Sequence, residues 1–425
     1  ADVVVTGRVT DASLVVGPAA WWHGWRSDAW DALAGAVAAG HVIECGPQAT
    51  GGNYPFLDEI ADRRHPGFPI AEVAADGSSV ITKHPGTGGL VSVGTVTAQL
   101  LYEIGSPAYL GPDVTTHLDT LRLQQVGEHR VAITGTRGSP PPATLKVALN
   151  EVGGFRNTMT LVLTGLDIEA KAAHAETLLF EVLGGKDRFA EVDVRLLRFD
   201  RPDAPVNEQA TAHLRVTVKD PDPRRVGRAF SNATMELALG GYAGFHTTTP
   251  PTVESAFGIY RPAAVPRAAV RHVAVLPDGA RRVIDDPPTG EVPPAPEVPA
   301  PPPAPAGPTA RVPLGRVCGA RSGDKGGDAN IGLWTRTGAQ YSWLRGFLTG
   351  ERARELLGPE ADDLPIDVYP LPNLRALNVV VRGILGEGVA SSTRPDPQAK
   401  GLGEYLRSRV VDLPRALSPD GQVEG

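Results

Sequence analysis

Apolar positions change their spacing several times along the chain, and each change predicts an element. Val3, Val4 and Val5 form a continuous apolar run that predicts an opening strand. Ser27 supplies a helix cap, after which Trp30, Leu33, Ala34 and Val37 recur at helical spacing until Gly40 offers a stop. Val42 and Ile43 predict the end of a buried strand, so that strand, helices and strand make a crossover unit with parallel strands. Residues 70–75 and 79–83 flank Asp76-Gly77, a hairpin signal, and a glycine-rich loop over 83–89 leads into a predicted helix over 92–104. A second hairpin is predicted over 121–133. From residue 143 the pattern becomes strand, helix, strand, strand, helix, strand, with helices over 170–183 and 225–239.

Composition then sets the boundaries. Residues 287–308 hold eleven prolines in twenty-two positions, which excludes helix and central strand and predicts an extended tether. Beyond it, strands over 312–318, 331–335, 366–369 and 377–384 and helices over 351–357 and 399–410 predict a small independent α+β domain. The expected organisation is an α/β portion over 1–142 with an incomplete parallel or mixed sheet and glycine-rich site loops. It is followed by an α+β ferredoxin-like region over 143–284, a Pro-rich linker over 285–310, a ferredoxin-like C-terminal domain over 311–412 and a tail over 413–425.

Charge excludes more than it identifies. A net charge of -7 and a pI near 5.8 give no basic footprint for nucleic acid. No apolar stretch reaches membrane-spanning length and no signal sequence opens the chain, so a cytoplasmic protein is expected, with no membrane partner. The two cysteines, Cys45 and Cys318, lie far apart and read as free thiols, and no metal-ligand spacing stands out. Arginine outnumbers lysine 34 to 7, the bias of a GC-rich bacterial genome.

Candidate chemistry gathers in three loops. The stretch 41–53, HVIECGPQATGGN, combines acid, thiol and amide groups with glycines that permit tight turns. Glu44 beside Cys45 reads as an acid–base group next to a nucleophilic thiol, or as a carboxylate beside a packed cysteine. If the loops at Thr6 and Glu44 leave one sheet edge, Asp11 as a further catalytic candidate and Arg8, Ser13, Thr50, Gly51, Gly52 and Asn53 as substrate-binding ones converge on Glu44; Arg8 and Asp11 equally suit pairing with each other. In the second loop His84 is a candidate acid–base residue, while Lys83, Thr87, Gly88 and Gly89 form either an anion nest at a helix start or a self-bonded turn. The third, 319–330, reads as a substrate loop carrying Arg321, Asp324, Lys325 and Asn330 or as a solvated hairpin; its glycine and lysine spacing is not that of a nucleotide-binding P-loop. The stripe of Trp21, Trp22, Trp25 and Trp30 suits a core or subunit interface, and a homo-oligomer is expected.

Three stretches, TGRVTDAS with HVIECGPQATGGNY, KHPGTGGLVS, and RSGDKGGDANIGLW after the proline linker, resemble the acyclic terpene utilisation AtuA family and its C-terminal ferredoxin-like domain. Against that family's pattern the chain, opening at Ala1, is expected to lack an N-terminal portion. The resemblance implies a bacterial catabolic role in acyclic terpene or branched acyl-CoA degradation. It leaves two classes open: an enzyme acting on an acyl-CoA thioester or carboxylate by hydration, lyase or hydrolytic chemistry, or a non-catalytic partner of an acyl-CoA carboxylase or dehydrogenase. No tightly bound cofactor is expected, CoA entering as part of the substrate.

Overall fold

The structure is a computed structural model that describes residues 3–418, so the opening at Ala1 and the end of the expected tail, 419–425, lie outside the described residues. The chain divides into two compact units: residues 1–147, 262–386 and 398–425 form one, residues 148–261 and 387–397 the other.

The first unit corrects the opening prediction. Val3, Val4 and Val5 are exposed and carry no strand, since an apolar run without a partner edge has nothing to pair with. After α1 (Val16–His23), α2 (Trp30–Ile43) absorbs Val42 and Ile43, predicted as strand. Residues 33–42 are buried on every face, so this helix is apolar all round. Gly40 does not stop it because its missing side chain admits the backbone of Ala12. The crossover unit therefore does not form.

The hairpin β1 (Pro69–Val73) and β2 (Ser79–Lys83) pairs as predicted, and α3 (Val93–Leu100) starts in a capping box of Ser92 and Thr95. Five short strands follow: β3 (Ala108–Leu110), β4 (Thr115–His117), β5 (Arg122–Gly127), β6 (Arg130–Thr134) and β7 (Arg137–Ser139). The sheets β1–β2–β6–β5 and β3–β4–β7 are antiparallel throughout, in place of the expected parallel or mixed sheet. The short connection within each of the hairpins β1–β2 and β5–β6 leaves no room for the crossover that parallel pairing requires.

The second unit runs β8 (Thr144–Thr164), α4 (Ile168–Leu183), β9 (Glu191–Arg198), β10 (Thr211–Asp220), α5 (Pro223–Val226), α6 (Arg228–Gly240), β11 (His246–Thr247) and β12 (Ser255–Pro266). β8 lies between β10 and the two strands β11 and β12, with β9 outside β10. Leu179, Phe180, Phe230 and Leu237 of the helices pack on Met159, Leu161 and Val216 of the sheet.

The chain returns to the first unit with a hairpin, β13 (His272–Val275) and β14 (Arg281–Ile284), and the proline segment, which carries no helix and only an isolated bridge at Gly290. Then come β15 (Thr309–Pro313), β16 (Cys318–Lys325), β17 (Asp328–Thr335), α7 (Gly338–Phe347), α8 (Gly350–Leu357), β18 (Ile366–Leu371), β19 (Ala376–Val381), α9 (Leu402–Ser408) and β20 (Val410–Pro414). The predicted loop 319–330 is the β16–β17 hairpin itself.

This last sheet, β16–β17–β19–β18, is covered on both faces, and β19 is buried at every position. Leu377, Val379 and Val381 face α7, α8 and α9 in one core. Trp334, Leu371, Leu374 and Ala376 belong to a second core with Tyr54, Leu101 and Ile104 of the N-terminal portion. The domain expected to hang on a tether is docked, because one face of its sheet is apolar and needs cover.

Candidate functional site

Docking brings together charged groups from both ends of the first unit. At the end of α2 the Cys45 thiol donates a hydrogen bond to Glu44 Oε1 at 2.8 Å. Burial raises the pKa of Glu44, with the negative charges of Asp11 and Glu103 adding to it. Burial and the Glu44 hydrogen bond together push the Cys45 thiol up to about 12. Glu44 therefore serves as an acceptor for a neutral thiol. It does not produce a thiolate, so the arrangement gives no support to Cys45 as a nucleophile.

Past the end of α3 stand Tyr102 and Glu103. Glu103 has φ +54, a left-handed conformation that side chains with a Cβ adopt rarely and at a cost of about 1–2 kcal/mol. It is fixed from across the docking surface: Asn330 Oδ1 accepts the Glu103 N–H at 2.7 Å, while Asn330 Nδ2 donates to Leu101 O at 2.9 Å and to Asn378 Oδ1 at 2.6 Å. Asn378 Nδ2 in turn donates to Gly105 O at 2.5 Å. Two fully buried asparagines thus bind the turn to the C-terminal sheet.

From the other side come the cations. Lys400, just before α9, donates to Glu103 Oε1 at 2.7 Å and to the Tyr102 hydroxyl, and lies 3.6 Å from Asp324 Oδ1. Burial opposes its charge, but the bonds to Glu103 and Tyr102 outweigh that and raise its pKa. Asp324 is raised by burial and then by Glu103. Lys325 donates to Glu103 O at 2.8 Å and sits 5.5 Å from the centre of the Tyr109 ring. Its side chain is exposed, yet the protein around its amine, with Lys146 nearby, lowers its pKa. Arg321 stacks 4.6 Å over Tyr102. Burial pushes Tyr102 and Tyr109 up to about 12 each, so both are neutral donors at physiological pH.

Several predicted residues do other work. Arg8 and Asp11 form a loose exposed pair at 3.8 Å, and Asp11 alone reaches the field around Glu44. Ser13 lies in a short 3₁₀ turn, its N–H bonded to Thr10 O. Thr50 is buried and donates to Pro47 O and Gly67 O, Gly51 sits at φ +101, and a side chain at Gly52 would strike Pro47 O. Asn53 is exposed at φ +58. In the second loop Lys83 donates to Thr87 O at 2.6 Å and Thr87 to His84 O at 2.7 Å. The Gly89 N–H bonds to Asp62 O, Gly88 O accepts from Gly67, and His84 is exposed. Of the two readings of that loop, the geometry is that of the self-bonded turn. Asn330 is a docking residue, while Arg321, Asp324 and Lys325 join Glu44 and Cys45.

Reading the sequence missed Tyr102, Glu103, Tyr109 and Lys400. One signal was present: with only seven lysines in an arginine-rich chain, Lys146, Lys325 and Lys400 stand out as positions where arginine was not used. His41 is buried inside α2. Burial and the nearby Lys325 lower its pKa to about 4, its ring packs 5.2 Å from Tyr109, and its Nε2 has no partner. Trp21 and Trp22 are exposed, whereas Trp25 and Trp30 pack on the core of α1 and α2.

Among the described residues no group of three or more His, Cys, Asp or Glu side chains could hold a metal ion, and no helix is long and apolar enough to cross a membrane. In comparisons with known proteins, the sequence model described as acyclic terpene utilisation family protein AtuA matches residues 1–276, and that of the AtuA ferredoxin-like domain matches residues 312–412. No curated protein and no solved structure matches.

Proposed function

The chain belongs to the acyclic terpene utilisation family AtuA and ends in that family's ferredoxin-like domain, and from this premise we propose that it is an enzyme acting on an acyl-CoA thioester in the breakdown of acyclic terpenes or branched acyl chains. Membership supports a catabolic role. The chemistry is argued from one observation: Glu44 is a half-buried carboxyl with a raised pKa, set among charged groups contributed by both matched segments.

Hydration, lyase and hydrolytic reactions of thioesters share one demand, a group that takes a proton from water or carbon and returns it. A carboxyl whose pKa is raised toward the working pH does this best, since it is both an adequate base and an adequate acid. Glu44 fits that role. Cys45 holds its carboxylate in orientation, and the neutral hydroxyls of Tyr102 and Tyr109 provide donors for a developing oxyanion. His84, Lys83 and Thr87 take no part in this reading. CoA enters only as part of the substrate, and the protein works in the cytoplasm.

The exposed Trp21 and Trp22 favour a second reading, a non-catalytic partner of an acyl-CoA carboxylase or dehydrogenase. Incubating the protein with branched acyl-CoAs and following products by mass spectrometry separates the two. Turnover by the wild type that disappears in Glu44→Gln, at an unchanged fold, supports the enzyme. Equal turnover by both proteins removes Glu44 from the chemistry.

A further inference from the structure

Among the described residues, the two lysines of the site that the C-terminal segment supplies are bonded to partners. Lys400 is held by Glu103, Asp324 and Tyr102, and Lys325 by Glu103 O. Arg267, a buried arginine of the same unit, spends its donors on Pro142 O, Pro112 O and Asp286. Arg321 differs. It is partly buried, its guanidinium carbon lies 4.6 Å from the centre of the Tyr102 ring, and among the described residues it has neither an ion pair nor a side-chain hydrogen bond.

A guanidinium carries five N–H donors, and removing it from water without acceptors is unfavourable. Burial accordingly lowers its pKa, the neighbouring Tyr102, Cys45 and Glu103 only partly compensating. The Tyr102 ring holds the guanidinium in place, with Cys45 and Glu103 in its electrostatic surroundings. Three carboxylates stand nearby, Glu44, Glu103 and Asp324, yet none turns to Arg321: Glu103 and Asp324 face Lys400, and Glu44 faces the thiol.

We infer that Arg321 receives a free carboxylate of the substrate, so that the thioester acted on carries a second acid group in its acyl chain. A planar fork stacked on an aromatic ring matches a carboxylate in two parallel hydrogen bonds. The surrounding acids select against a dianionic phosphate, which they repel twice as strongly as a monovalent carboxylate. The inference rests on the acyl-substrate reading for its substrate class, but it concerns binding alone.

Calorimetry on the full chain tests it with two pairs of probes. 3-Methylglutaryl-CoA and isovaleryl-CoA differ by one carboxylate; free isovalerate and isovaleramide repeat the comparison, one carboxylate against none, without CoA. The wild type is expected to bind the acid of at least one pair about ten- to hundredfold more tightly than its neutral counterpart. Arg321→Gln is expected to lose that preference and Arg321→Lys to keep a part of it, both melting within a few degrees of the wild type. Should the glutamine variant not fold, the lysine variant decides alone, since it keeps charge and loses the fork. Preference in the free pair alone supports the carboxylate site while rejecting the CoA reading. Equal binding of acid and neutral probes in both pairs, an undiminished preference in the variants, or tighter binding of inorganic phosphate than of isovalerate would overturn the inference.

Discussion

Replacing Asn330 by Leu removes the polar centre of the docking surface while keeping the number and branching of side-chain heavy atoms. Three bonds disappear: those to Leu101 O, to Asn378 Oδ1 and from the Glu103 N–H. All three groups are then left without that partner in a region where water does not enter, because Asn330 and Asn378 are fully buried. At about 1–3 kcal/mol for each of the three unsatisfied groups, and about 1 kcal/mol returned by the added apolar surface, the net cost is roughly 2–8 kcal/mol. Asn378 keeps its bonds to Ile104 O and Gly105 O, so the lower half of that range is expected. A loss of this size is a large part of ordinary domain stability and shifts the melting temperature by roughly 5–10 °C. Thermal melts followed by circular dichroism measure it. A second readout is specific to docking: after proteolysis within residues 287–308, wild-type fragments stay together on gel filtration, whereas those of the variant separate. Melting within 1 °C of the wild type, or co-elution of both nicked proteins, refutes the assignment of Asn330 as a docking residue.

Local patterning carried the elements well and their assembly poorly. Asp76-Gly77 set the β1–β2 hairpin, and the helix over 168–183 ended at Gly184 in the left-handed conformation that its sequence announces. Val42 and Ile43 misled because a helix buried on all faces has no polar stripe, so its last turn reads like a strand. In the site, Glu44, Cys45, Arg321, Asp324 and Lys325 were legible as dense polar groups beside glycines. Glu103 and Lys400 were not, since each acts through a partner about three hundred residues away and nothing local marks it. The docking of the C-terminal domain hid for a similar reason. Proline composition describes the segment between two bodies, while the apolar second face of β16–β17–β19–β18 is visible only after strand registers are known.

The remaining predictions bear on the site. Cys45, held protonated by burial and Glu44, is expected to react with iodoacetamide at pH 7.5 far more slowly than a free thiol, and Cys45→Ser to keep most of the activity; rapid alkylation with loss of activity would restore the thiol as nucleophile. Gly323→Ala places a methyl 2.7 Å from the Tyr102 ring and 2.8 Å from Glu103 Cγ, so about 1–3 kcal/mol of strain and a large loss of turnover are expected, and full activity would show that Tyr102 and Glu103 need not stay where they are. The pH dependence of Glu44→Gln follows from linkage. The folded pKa of Glu44 lies above the unfolded value of about 4.3, so the folded state holds the proton more tightly. Its ionisation therefore destabilises the fold progressively as pH rises from the unfolded value through the folded one, and below both values the penalty is absent. Glutamine, neutral and still able to accept the Cys45 hydrogen bond, escapes the penalty. The variant should match the wild type near pH 4 and melt higher at pH 8, with activity gone; a variant less stable than the wild type at pH 8 would mean that Glu44 is held there as a stabilising charge, and the case for it as a poised acid–base group would fall with that result.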